Sequence, residues 1–89
     1  MTKSDYKKAH QHSFKNRQEI LSSTQCGCFF CLAIYPPSEV DDWNFENAEG
    51  IGHTAICPKC GIDSVIGDRS ECPVTDKKFM KGLKKFSFW

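Results

Sequence analysis

The stretch Cys57-Pro58-Lys59-Cys60-Gly61 constrains this chain more than any other. Two thiols stand either side of a Pro-Lys pair, and a glycine follows at once. Such a turn aims both sulfurs into one hollow and bends successive backbone N–H groups toward them. A tetrahedral metal suits that geometry better than a disulfide does, provided that a second pair of ligands comes from elsewhere. The chain offers that pair at Cys28-Phe29-Phe30-Cys31, 25 residues upstream. The gap is long enough for a strand, a short helix and a returning strand.

Size makes such a staple useful. A chain of 89 residues is read as one small domain over residues 1–89, with a thin core. Six cysteines in a secreted chain would suggest a disulfide scaffold. Residues 1–25 are polar and charged throughout, however, without the apolar run of an export signal. No stretch approaches the roughly 18 apolar residues of a membrane span. A cytoplasmic location with reduced thiols is therefore expected, and paired C-x-x-C motifs there read as metal ligands.

Charge is unevenly distributed. Residues 1–25 carry five basic and two acidic side chains, residues 26–56 carry none and five, and residues 75–89 carry five and one. Basic ends thus flank an acidic centre. Mutual attraction of these parts within the fold and an outside anionic partner are the two explanations.

Taken in order, residues 4–22 predict a helix, capped by Ser4 and free of Pro and Gly. At 100° per residue, Tyr6, Ala9, Phe14, Ile20 and Leu21 share one face, with His10, Ser13 and Arg17 along its middle. His12, Asn16 and Glu19 point away. The polar residues on the apolar face either satisfy backbone carbonyls or a carboxylate, or His10 and Arg17 line a small anion-binding or partner-binding surface. The run from Cys26 to Tyr35 reads as a tight knuckle leading into a buried strand. Pro37 and Glu39 start a short helix through about Trp43. A turn at Glu49-Gly50, a strand over 53–56, the second knuckle and a strand over 62–66 follow. Residues 68–73 read as loop. A C-terminal amphipathic helix over about 76–87 takes Thr75 as its N-cap and a staple of Val74 on Phe79. Phe79, Met80, Leu83 and Phe86 form its apolar stripe. Gly82 inside it costs about 1 kcal/mol against Ala, so the helix relies on docking. The fold class expected is small α+β. A zinc-ribbon-like β core with two C-x-x-C knuckles, over about 26–67, is flanked by these two helices.

Four thiolates from Cys28, Cys31, Cys57 and Cys60 would give a closed tetrahedral Zn²⁺ site at about 2.3 Å per bond. Lys59 is placed to offset its charge. Cys26, two residues before Cys28, and His53, four before Cys57, are alternative ligands; Cys72 is a spare thiol. A set of buried thiols without metal is the plainer reading.

The same residues carry two resemblances. The knuckles resemble the zinc-ribbon group, and rubredoxins in particular, which pair C-x-x-C-G with C-P-x-C-G around one redox-active iron. This chain departs from that pattern where Leu32, not Gly, follows Cys31, which counts against the amide–sulfur hydrogen bonds of an iron site. Over about residues 10–89, Cys26-Gly27-Cys28-Phe29-Phe30-Cys31 and Cys57-Pro58-Lys59-Cys60-Gly61-Ile62-Asp63-Ser64-Val65-Ile66-Gly67 look like a family of small bacterial cytoplasmic proteins. That family shares C-G-C-F-[FY]-C and C-P-x-C-G-I-D-S-V-I-G. The resemblance implies a fold and a metal site rather than an activity.

Three functions compete. A non-enzymatic zinc-stabilised module binding a macromolecular partner comes first. Protein stands ahead of nucleic acid there, because no basic stripe interleaves with aromatics along the chain. Electron transfer at an iron tetrathiolate is the second. An enzyme using Asp63, Ser64, His10 or His53 is the third, although a polar pair after such a knuckle more often caps the turn.

Overall fold

The computed structural model describes residues 3–45 and 52–88, so the turn at Glu49-Gly50 and Trp89 lie outside the described residues. The fold is a small α+β arrangement with a helix at each end and a β core carrying the two cysteine pairs. The N-terminal segment is not the single helix expected over 4–22. It forms α1 (Lys3–Gln11) and α2 (Arg17–Leu21), broken between them. Lys15 there adopts a left-handed φ of 51°. Its amide donates to Thr54 Oγ1 at 2.9 Å, so the tertiary contact overrides a helical period that no Gly or Pro interrupts. His12 Nδ1, 2.9 and 3.0 Å from the two Glu19 carboxylate oxygens, bridges the break. Phe14 and Leu21 consequently face solvent, whereas Ala9 and Ile20 are buried.

Asn16 closes this corner. It does not point away, as the continuous helix required, but is buried. Its Nδ2 donates to His12 O at 2.8 Å and to Val65 O at 2.7 Å, and its Oδ1 accepts from Ala55 N at 3.1 Å.

The main sheet has β1 (Cys26–Cys28) at its centre, between β2 (Ile34–Tyr35) and β5 (Val65–Gly67), all antiparallel. A second pair joins β3 (Trp43–Phe45) to β4 (Gly52–Ala55). The expected helix through Trp43 is only a 3₁₀ turn over Pro37–Glu39, because Val40 is already extended. Trp43 instead belongs to β3, where the Arg17 guanidinium stacks 4.8 Å above its ring. The last strand starts later than 62, since Ile62 O is engaged by the second knuckle, accepting from Cys57 N at 2.9 Å.

Because side chains alternate along a strand, the three-stranded sheet builds a core on each face. Cys26, Cys28, Tyr35 and Val65 join Ile20, Val40, Ala55 and Cys57 on one side. Ile66 joins Ala9, Phe29, Val74, Phe79, Met80 and Leu83 on the other. The second core is roofed by α1 and by α3 (Lys77–Phe88). Asp76, not Thr75, caps α3: its Oδ1 accepts from Lys78 N at 3.0 Å and Phe79 N at 3.4 Å. Gly82 has a packing reason. The Tyr6 hydroxyl rests against its Cα, where a Cβ would collide, so glycine lets α1 approach α3.

Candidate metal centre

The two knuckles are the same turn built twice. Cys28 N donates to Ala33 O at 3.0 Å while Leu32 N returns to Cys28 O at 2.8 Å. In the second knuckle Cys57 N donates to Ile62 O and Gly61 N returns to Cys57 O, both at 2.9 Å. The residue after each second cysteine is left-handed, Leu32 with φ 67° and Gly61 with φ 79°. The expectation that a missing glycine would disturb the amide–sulfur bonds is therefore corrected. Phe30 N approaches Cys28 Sγ at 3.4 Å, as Lys59 N approaches Cys57 Sγ at 3.4 Å. Leucine in this region costs about 1–2 kcal/mol of backbone energy. Its side chain offsets part of that by packing against the second core.

These turns bring the sulfurs of Cys28, Cys31, Cys57 and Cys60 within 4.8 Å of one another. Across the knuckles, Cys28 Sγ lies 3.7 Å from Cys60 Sγ, and Cys31 Sγ lies 3.7 Å from Cys57 Sγ. A tetrahedron with metal–sulfur bonds of about 2.3 Å has edges of about 3.8 Å, so these separations fit a single central ion. They are far beyond the roughly 2.05 Å of a disulfide. The cluster is capable of chelating a divalent metal, and an all-sulfur tetrahedral set suits zinc or iron.

The four thiols differ in their surroundings. Cys28 and Cys57 are buried, Cys60 is half-buried and Cys31 is exposed. Burial pushes the Cys28 thiol well above its ordinary value, against the opposing pull of the Cys31 and Phe30 amides. Burial also raises Cys57, but the Tyr35 hydroxyl, the Lys59 and Cys60 amides and the Cys31 thiol outweigh it and bring Cys57 down to about 7. Tyr35 Oη is buried, and it acts on Cys57 as a hydrogen-bonding neighbour of the sulfur. Nothing in the sequence marked Tyr35 for this place; only the pairing of β2 with β1, which sets Tyr35 opposite Cys26, brings it to the sulfurs.

The remaining candidates lie elsewhere. Cys26 is buried in β1, its thiol pushed up to about 12 by burial and by Asp68, and it stands outside the four-sulfur group. His53 also stands outside that group and lines a cleft with Lys15, Arg17, Gln18 and Glu19. Cys72, half-buried, packs at the edge of the second core. His10 and Arg17 have separate partners. His10 Nδ1 lies 2.8 Å from Ser87 Oγ, and Arg17 donates to Gly52 O at 2.8 Å. Asp63 is exposed and Ser64 buried. The Lys59 ammonium, placed by the sequence to offset the thiolates, forms an ion pair with Glu39 at 3.0 Å.

Comparison of the chain with protein-family models, with curated proteins and with solved structures finds no match. No helix among the described residues is long and apolar enough to cross a membrane.

Proposed function

We propose that this chain is a non-enzymatic module in which a structural zinc ion, held by Cys28, Cys31, Cys57 and Cys60, fixes a helical surface for a macromolecular partner. One observation carries the reading: four sulfurs from two matched knuckles surround a point at tetrahedral spacing. Four protein ligands fill the coordination sphere of zinc and leave no position for an activating water or a substrate. The metal would supply folding free energy, about 10–16 kcal/mol in zinc-finger peptides, to a chain with two small cores. The sequence places protein ahead of nucleic acid as partner because basic and aromatic residues do not alternate along the chain. The fold weakens that preference by gathering them in space.

A second reading, one-electron transfer at an iron held by the same thiolates, is favoured by the knuckle geometry. The left-handed Leu32 restores the turn whose supposed loss counted against iron.

Metal analysis of protein purified without added metal separates the two. About one equivalent of zinc in a colourless protein, with loss of structure on chelation, is expected. A red protein with thiolate-to-iron absorption bands would establish the iron reading. A fold unchanged by chelators, with well under one equivalent of any metal, would remove both.

A further inference from the structure

We infer that the outer face of α3, together with the tip of the first knuckle, is a binding surface for single-stranded nucleic acid. The inference names the partner class of the module proposed above and rests on that reading for the rigidity of the knuckle. Lys77, Lys81, Lys84 and Phe88 recur at intervals of four, three and four residues, which places them on one stripe of the helix. The stripe is about 16 Å long at 1.5 Å per residue. At its C-terminal end it meets the knuckle. The Phe88 ring lies edge-on to Phe30, centroids 5.1 Å apart, and Lys84 Nζ stands 4.9 Å from the Phe30 centroid. Phe30, Phe86 and Phe88 remain 36%, 38% and 44% exposed, although Phe86 also packs on Tyr6 and His10, and Phe88 on Phe29 and Phe30.

Charge points to what such rings would meet. The five lysines of α3 have no acidic residue on their own helix to balance them. Among the described residues the ion pairs are His12–Glu19 and Lys59–Glu39, and neither draws on α3. Among the described residues, the acidic side chains around Glu39 to Asp42 form no ion pair with this face. Lysines at i, i+3 and i, i+4 repel one another along the helix, and an anionic strand would relieve that repulsion. An acidic polypeptide would satisfy the lysines alone. Exposed flat rings at the end of a cationic track match the combination that holds a single strand, with phosphates on the lysines and unpaired bases stacked on the aromatics.

The test uses the full chain, its metal content and circular dichroism measured on every sample, and a fluorescein-labelled oligo(U) of about 12 nucleotides. Micromolar binding at low salt is expected, and three lysine–phosphate contacts would weaken it about 15- to 20-fold between 50 and 200 mM salt. Phe30→Ala should reduce affinity by about 5- to 150-fold, the range for losing one base–aromatic stack. Lys81→Gln should lower the salt slope by about 0.7. A duplex of equal length and poly-glutamate should both compete poorly. The inference is overturned if metal-replete, folded protein fails to bind at low salt, if Phe30→Ala binds as tightly as the parent, or if the duplex or poly-glutamate competes as well as oligo(U). Metal-free protein that keeps its circular dichroism and still binds would sink the structural-zinc reading and leave this surface standing.

Discussion

Single residues hold this fold at points where a sequence pattern is blind. Asn16 makes one hydrogen bond within the α1–α2 corner and two that join it to β4 and β5. Val65 and Ala55, whose backbone groups it satisfies, are themselves fully buried. Asn16→Ala leaves a carbonyl and an amide unpaired there, and each costs about 1–3 kcal/mol. A loss of about 2–4 kcal/mol in urea unfolding of the metal-loaded protein is expected. Asn16→Asp should be no better, because it keeps an acceptor for Ala55 but sets a carboxylate oxygen against Val65 O. Leu32 shows the same blindness in reverse. A rule of thumb demands glycine after the second cysteine, yet the backbone accepts leucine where the side chain finds a core to enter.

At the level of elements, the junction of α1 with α3 depends on the absence of a side chain. In the interior of an exposed helix Gly82→Ala would gain about 1 kcal/mol of helix propensity. Here the new methyl meets the Tyr6 hydroxyl, and overpacking of this kind costs about 1–3 kcal/mol. Thermal unfolding should therefore show Gly82→Ala as neutral to destabilising in the parent and stabilising in a Tyr6→Ala background. A change of sign between the two backgrounds is the decisive readout, and equal shifts would refute the contact. Elements of this kind were unequally legible. The terminal helices and the two cysteine pairs could be read from the sequence because local spacing dictates them: i, i+4 stripes in one case, C-x-x-C chelation in the other. The break after Gln11 could not, since residues 12–16 contain neither Gly nor Pro and the turn is fixed by Thr54, nearly forty residues away. Nor could β1, whose Cys-Gly-Cys sequence has little strand propensity and is extended only because β2 and β5 pair with it on both sides. Tyr35 reached the sulfurs through that same pairing, which explains why the ligands could be named from spacing and their surroundings could not.

For the molecule as a whole, the sulfur cluster works as a cross-link between distant parts of the chain. Both short separations run from one knuckle to the other, so the bound ion would close a loop of roughly 30 residues. The cationic roof of α1 and α3 sits over one core, while the acidic stretch around Glu39 to Asp42 borders the other. Among the described residues, neither ion pair cancels this separation of charge.

The unequal burial of the four thiols also sets the order in which the centre would come apart. Cys28 and Cys57 are shielded and Cys60 is half-covered, so Cys31 is the sulfur that an oxidant or an alkylating reagent meets first. With a limiting dose of iodoacetamide, peptide mass mapping should find the first adduct on Cys31, with metal release rising in step. Early labelling of Cys28 or Cys57 would mean that the knuckles open before the ion leaves. Loss of this one exposed ligand opens the coordination sphere, which makes Cys31 the weak link at which the module is first unfastened.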